Sequence, residues 1–257
     1  AGAALQRVYR NPLADPYLVG VSSAAGFGAA LGFAMVSSGS SLLVPVAMAA
    51  VAGSLFSLLT RRLADMLVDP TRFVLVGVVL ALTLLAWTVI LIFAVDSPRL
   101  PTFVYFVFGG LGATTWSAVG VAAIPILAGI IVVWSQRREL DLLSLGKREA
   151  AHLGVAVSRT TTLVLLGSGT AVGASVAVAG VIGFVGLLVP LALLSRTGPS
   201  MGRLLMPVML GGAGVMVLAD VAARSIGGVV EVPVGIVTAA AGGIAFVAIV
   251  AGRKGNL

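Results

Sequence analysis

Cysteine is absent from the whole chain of 257 residues, and histidine occurs once, at His152. No disulfide framework, thiolate metal site or imidazole cluster can be assembled from such a sequence. Charge is also scarce, with nine acidic residues and sixteen Lys and Arg making up 10% of the chain. Every acidic residue falls in a loop or at the end of an apolar run, so no mid-membrane carboxylate offers a proton relay. A phosphate-binding GxxxxGK[ST] loop is missing as well, and LSLGKREA does not supply one.

What remains is overwhelmingly apolar: 59% of residues are hydrophobic and the mean hydropathy is +1.15. That composition specifies an all-α polytopic membrane protein. The net charge of +7 comes from cations dispersed in short loops between apolar runs. Orientation in a membrane explains this distribution better than a nucleic-acid partner does.

Ala1 to Arg10 is too short to cross a bilayer, has no initiator Met or signal-peptide pattern, and reads as a cut start. NPLADP, residues 11 to 16, is a turn. Spans are expected over Leu18–Val36, Leu42–Thr60, Phe73–Val95, Ser117–Trp134, Thr160–Gly180, Leu204–Ala223 and Val234–Val250. A polar linker is expected around Arg61, Arg62, Asp65, Asp69 and Arg72. Phe103–Leu111 reads as a short helix packed at the outer surface.

Val181–Leu194 is only 14 residues long, and its crossing decides the topology. If it crosses, Arg7, Arg10, Arg61, Arg62, Arg72, Arg137, Arg138, Lys147, Arg148, Arg159, Arg196, Arg203, Arg253 and Lys254 share one side. Only Arg99 and Arg224 then lie opposite. The excess of cations on cytoplasmic loops therefore argues for eight membrane crossings with both ends of the chain in the cytoplasm.

Glycines at Gly28 and Gly32, at Gly169 and Gly173, and at Gly180, Gly183 and Gly186 are expected to give close helix contacts. Thr83, Thr88 and Thr160 to Thr162 read as hydroxyls satisfied by their own helices. One polar stretch stands apart. Leu140 to Arg159, LDLLSLGKREAAHLGVAVSR, alternates Leu140, Leu142, Leu143, Leu145, Ala150, Ala151, Leu153 and Val155 with charges and is punctuated by Gly146 and Gly154. Two short amphipathic helices joined at Gly146 fit this pattern. On spacing alone the stretch is either an ordinary charged loop or a knob that a partner grips. With no ion-coupling groups in the membrane, energy for uphill transport must enter from outside the bilayer, which favours the knob.

RNPLADPYLVGVSS, LDLLSLGKREAAHLGV, VAVAGVIGFVGLLVP, LADVAAR and EVPVGIVTA, in that order, resemble the FecCD family of ABC importer permeases. The family includes permeases for ferric siderophores, haem and cobalamin. The resemblance implies a ten-helix subunit lacking here its first helix and most of its second. It also implies a single permease domain over residues 1–257, with residues 140–155 as two short cytoplasmic coupling helices.

The implied partners are a second permease subunit, two cytoplasmic ATPase subunits, a periplasmic or lipid-anchored binding protein, and membrane lipid. No cofactor or metal site is implied, and the chain itself is not an enzyme. Leu142, Leu145, Gly146, Lys147, Ala150 and Leu153 are the expected coupling residues, and Lys147 stands where the family usually has an acid. Arg224 is expected to dock the binding protein at the outer rim, while Pro70 and Thr71 match a cytoplasmic gate. Val181, Leu191 and Ala241-Gly242-Gly243 depart from the usual Pro, His and Gly-Ala-Pro.

A bare metal ion would need His, Cys or carboxylates along its path, so a chelate is the expected cargo, ferric siderophore first and haem or cobalamin behind. The expected location is the bacterial inner membrane. An ion-coupled secondary transporter and a membrane scaffold are the rival functions.

Overall fold

The computed structural model describes residues 1–36, 42–66, 70–94, 106–112, 114–227 and 232–252. In chain order the helices are α1 (Gly2–Val8), α2 (Val21–Met35), α3 (Leu43–Met66), α4 (Pro70–Ala94) and α5 (Trp116–Ser135). They continue with α6 (Arg137–Leu143), α7 (Lys147–His152), α8 (Val157–Ala179), α9 (Val185–Thr197), α10 (Met201–Gly227) and α11 (Val234–Gly252). Five of these, α3, α4, α5, α8 and α10, are long and apolar enough to cross a membrane, and α2, α9 and α11 are shorter apolar helices.

Local chemistry explains the breaks between elements. After α1 the Asn11 amide donates to the Gln6 carbonyl and the Arg10 amide to the Arg7 carbonyl, closing the helix with Arg10 in the left-handed region at φ 49°. Side-chain turns then shape NPLADP, as Asn11 Oδ1 accepts from the Leu13 amide at 2.9 Å and Asp15 Oδ2 from the Tyr17 amide at 3.0 Å. This turn consumes Leu18 to Gly20, so α2 begins three residues later than its apolar pattern suggests. At the start of α5, Thr115 Oγ1 accepts from the Ala118 amide at 3.3 Å and caps the helix.

α8 is the central post, with α3 and α5 packed against it and α2 covering α3. Absent side chains set those distances. A Cβ on Gly169 would lie 2.5 Å from the Gly53 carbonyl oxygen of α3, so larger residues would force the helices apart. Gly28 and Gly32 serve the same purpose between α2 and α3. The triplet Gly180, Gly183 and Gly186 forms no such stripe: Gly180 ends α8, Gly183 faces the Tyr17 ring from non-helical backbone, and only Gly186, in the first turn of α9 beside Asp15, makes a close helix contact, with Gly2 of α1. Every-third spacing needs a continuous helix to become a stripe, and the helix stops at Gly180.

The polar linker expected after the second span is largely helix. α3 runs on through Arg61, Arg62 and Asp65 to Met66, with Arg61 and Asp65 bonded to residues distant in sequence. Arg61 donates to the Ser158 carbonyl and hydroxyl at 3.2 and 3.0 Å and to the Thr162 hydroxyl, tying the end of α3 to the start of α8. Thr162 thus has a second role besides its bond to the Ser158 carbonyl at 2.8 Å. Thr83 and Thr88 do bond within their own helix, to the Val79 and Leu84 carbonyls.

α9, α10 and α11 form a second group, and α1 bridges it to α8 and α6. α9 starts from the non-helical residues 180–184, whose Val181 amide donates to the Phe106 carbonyl at 3.1 Å. The neighbouring Gly109 carbonyl accepts from the Gly235 amide at the start of α11. α9 ends at Thr197, and Ser200 then meets Asp141 of α6. It therefore carries the chain from the Phe106–Gly109 level to the α6 end of the bundle. Phe106–Phe108 is a single helical turn, with the Phe106 ring edge-on to Phe33 at 6.2 Å. Residues 103–105 of that expected helix, and Arg99, Arg253 and Lys254, lie outside the described residues.

Candidate functional site

α6 and α7 form an elbow at the end of α5. Leu140 and Leu143, one helical turn apart, are buried in the largest apolar core with Leu5, Val8, Met201 and Leu204. The Arg137 guanidinium donates to the Trp134 carbonyl at 3.1 Å and lies 5.7 Å from the Trp134 ring centroid, fixing the junction with α5. On the flank of α6, Asp141 accepts from the Met201 amide at 2.6 Å and from the Ser200 hydroxyl at 3.2 Å. A carboxylate from α6 therefore caps the first turn of α10.

The elbow itself is made by Ser144, Leu145 and Gly146. The Ser144 hydroxyl donates to the Asp141 carbonyl at 2.6 Å, and the Gly146 amide to the Leu143 carbonyl at 3.2 Å. Gly146 has φ 140° and ψ 152°, a region that is nearly glycine-only, and the Glu149 carboxylate occupies the space a Cβ would need. The backbone conformation is what requires glycine there, since the exposed Glu149 side chain could swing aside. The sequence places the joint at this residue, and the structure has it as the residue preceding α7.

Around the elbow the apolar residues divide. Leu145 is 58% exposed and Leu153 59% exposed, with Lys147, Arg148, Glu149 and His152 about them. Leu142 is half-buried against the main core, and Ala150 is fully buried in it. Of the six expected coupling residues, Ala150 is therefore an anchor within the chain and not part of an exposed face. Lys147 is committed too, its Nζ pairing with Asp65 of α3 at 2.6 Å. Periodicity could not have revealed either the Asp65 or the Asp141 contact, because their partners are 82 and 60 residues away in sequence.

At the far end of α10 the Arg224 Nε donates to Asp220 Oδ2 at 2.8 Å, and Nη2 approaches Oδ1 at 3.4 Å. Both residues border a small cleft with Gly110, Leu111 and Pro233. α10 begins beside Asp141, and 23 residues of helix separate Met201 from Arg224, so roughly 35 Å lies between the elbow and this arginine. Pro70 opens α4 and Thr71 follows it; the side chains of both lie outside the described residues.

The FecCD transport family model matches residues 1–252. This chain belongs to that family. Vitamin B12 import system permease protein BtuC from Escherichia coli O6:H1 is 35% identical over 254 residues, 96% of this chain and 76% of that protein. Its counterpart from Escherichia coli O1:K1 / APEC is 34% identical over the same shares. A solved structure described as an inward-facing conformation of a metal-chelate type ABC transporter superposes with a TM-score of 0.81 at 31% identity, covering 97% of this chain and 79% of that one. The FecCD chain described here is an ABC importer permease, a class that works with ATPase subunits and a substrate-binding protein.

Proposed function

We propose that this permease carries a large metal chelate across a bacterial inner membrane, and that ATP hydrolysis in partner subunits reaches it through α6 and α7. The observation that carries the coupling role is the division of the elbow. Leu140, Leu143 and Ala150 root it in the core, while Leu145 and Leu153 stand exposed among charges. An exposed apolar pair on a rigid base is what a partner cleft can grip.

Eight crossings follow from taking the five long helices with α2, α9 and α11. α9 has 13 residues, about 20 Å of helix, and the non-helical residues 180–184 supply the rest of the path. Such backbone is tolerated at membrane depth when protein groups satisfy it, as the Phe106 carbonyl does for Val181. On this reading a pair of subunits rocks between outward and inward openings, the elbow is cytoplasmic, and Arg224 meets the binding protein outside. Pro70 and Thr71 are assigned to the cytoplasmic gate by family resemblance.

The vitamin B12 permeases among the relatives support cobalamin over ferric siderophores as the first cargo to test. Proteoliposomes holding the permease, its ATPase and its binding protein should take up labelled cobalamin only with ATP. Faster uptake of a ferric siderophore would reverse that order.

The coupling role is tested by Leu145→Asp. Enclosing an unpaired carboxylate in a partner cleft costs roughly 3–5 kcal/mol, some two to four decades of affinity. The variant should insert and pair normally, lose the ATPase on purification, and fail to transport. Wild-type ATPase recovery with full transport would remove α6 and α7 from the coupling path.

A further inference from the structure

A cavity of about 290 Å³ opens at the elbow end of the bundle, between α1 and the α9–α10 pair. Its walls are of two kinds. Pro190, Leu191, Leu194 and Leu204 make one side apolar, while Arg7 and Arg10 bring two guanidinium groups to its rim. No carboxylate lines it among the described residues. Arg7 is held in place by a hydrogen bond to the Pro199 carbonyl. Arg10 is exposed, and among the described residues no hydrogen bond or ion pair engages its guanidinium.

The backbone at Arg10 adds an independent observation. This residue occupies the left-handed position that closes α1, where glycine is the favoured residue. The chain accepts a strained conformation there and still presents a cation, so helix termination alone does not account for the arginine.

We propose that this cavity is a binding site for an anionic phospholipid, whose phosphate pairs with Arg7 and Arg10 and whose acyl chain lies along Leu191, Leu194 and Leu204. Charge selects the headgroup and the apolar wall selects an amphiphile over free phosphate. A polar protein surface would leave those leucines facing unmatched groups. The cavity adjoins the elbow at Ser144 but takes in neither Leu145 nor Leu153.

The test uses the subunit pair in nanodiscs of phosphatidylethanolamine doped with phosphatidylglycerol, extracted gently and weighed by native mass spectrometry. Wild type should retain phosphatidylglycerol above its bulk fraction, and added inorganic phosphate should not displace it. Arg10→Gly removes the cation while relieving the left-handed strain, so folding is not at risk, and retention should fall about fivefold. Leu191→Trp should lower it by filling the cavity with no change of charge. Arg62→Ala, which removes an exposed cation at the same end but away from the cavity, should leave it unchanged. Equal retention of the two lipids by wild type, enrichment that survives both cavity variants, displacement by phosphate, or a photoreactive residue at 191 that captures a peptide instead of lipid would each overturn the site.

Discussion

Arg224 shows why an ion pair at a helix end need not be there for stability. Its bond to Asp220 joins residues four apart on one helix, and Arg224 is half exposed, a setting worth only about 0.3–0.5 kcal/mol. A charge so placed has more effect on approach than on folding. If the binding protein docks on this rim through an acidic group, Arg224→Glu should slow its association several-fold at low salt and less at high salt. Exchanging the pair, with Asp220→Arg added to Arg224→Glu, should rebuild the local bond yet leave docking impaired, because the cation then sits one turn away. Surface plasmon resonance over a salt series reads both, and an Arg224→Glu association rate equal to wild type at every salt would leave the arginine as a cation that only reaches from a helix end to water.

Among the elements, α6 is joined to α10 by a carboxylate as well as to its neighbour α7 by the elbow. Asp141 receives the Met201 amide and the Ser200 hydroxyl, so a displacement of α6 pulls on the first turn of a 27-residue helix. Loss of a capping oxygen typically costs about 1 kcal/mol, a factor of roughly five in local opening. Asp141→Ala should therefore speed hydrogen exchange of the amides at Met201 to Leu204 by about that factor. ATPase binding should persist, since Leu145 and Leu153 are untouched, while transport per ATP hydrolysed should fall. Unchanged exchange and unchanged stoichiometry would show that α10 is held by packing of Leu204 and Leu205 alone.

Across the whole molecule the two ends of the bundle carry different chemistry. Arg61, Lys147, Arg148, Arg159 and Arg203 gather toward the elbow, and Arg224 lies at the other end of α10. The chain's lack of cysteine makes this directly measurable. A cysteine at position 148 should react with an impermeant maleimide only from the cytoplasmic side, and one at position 224 only from outside. Labelling of both from the same side would abolish the eight-crossing topology, because α10 joins the two regions.

Hydropathy and composition were enough to establish a helical membrane protein, since a chain so poor in charge cannot satisfy its backbone in lipid by any open arrangement. Spacing also marked the elbow, with Gly146 at the joint, because alternation of leucines with charges survives without knowledge of partners. It could not tell which leucines face the core: Leu140 and Leu143 are buried, Leu145 and Leu153 exposed, and all four read alike in sequence. Nor could it show that Arg61 and Asp65 belong to a helix, that Gly180 ends one, or that Asp141 caps a helix sixty residues on. Those outcomes depend on contacts made only when distant segments meet, and only the tertiary structure brings them together.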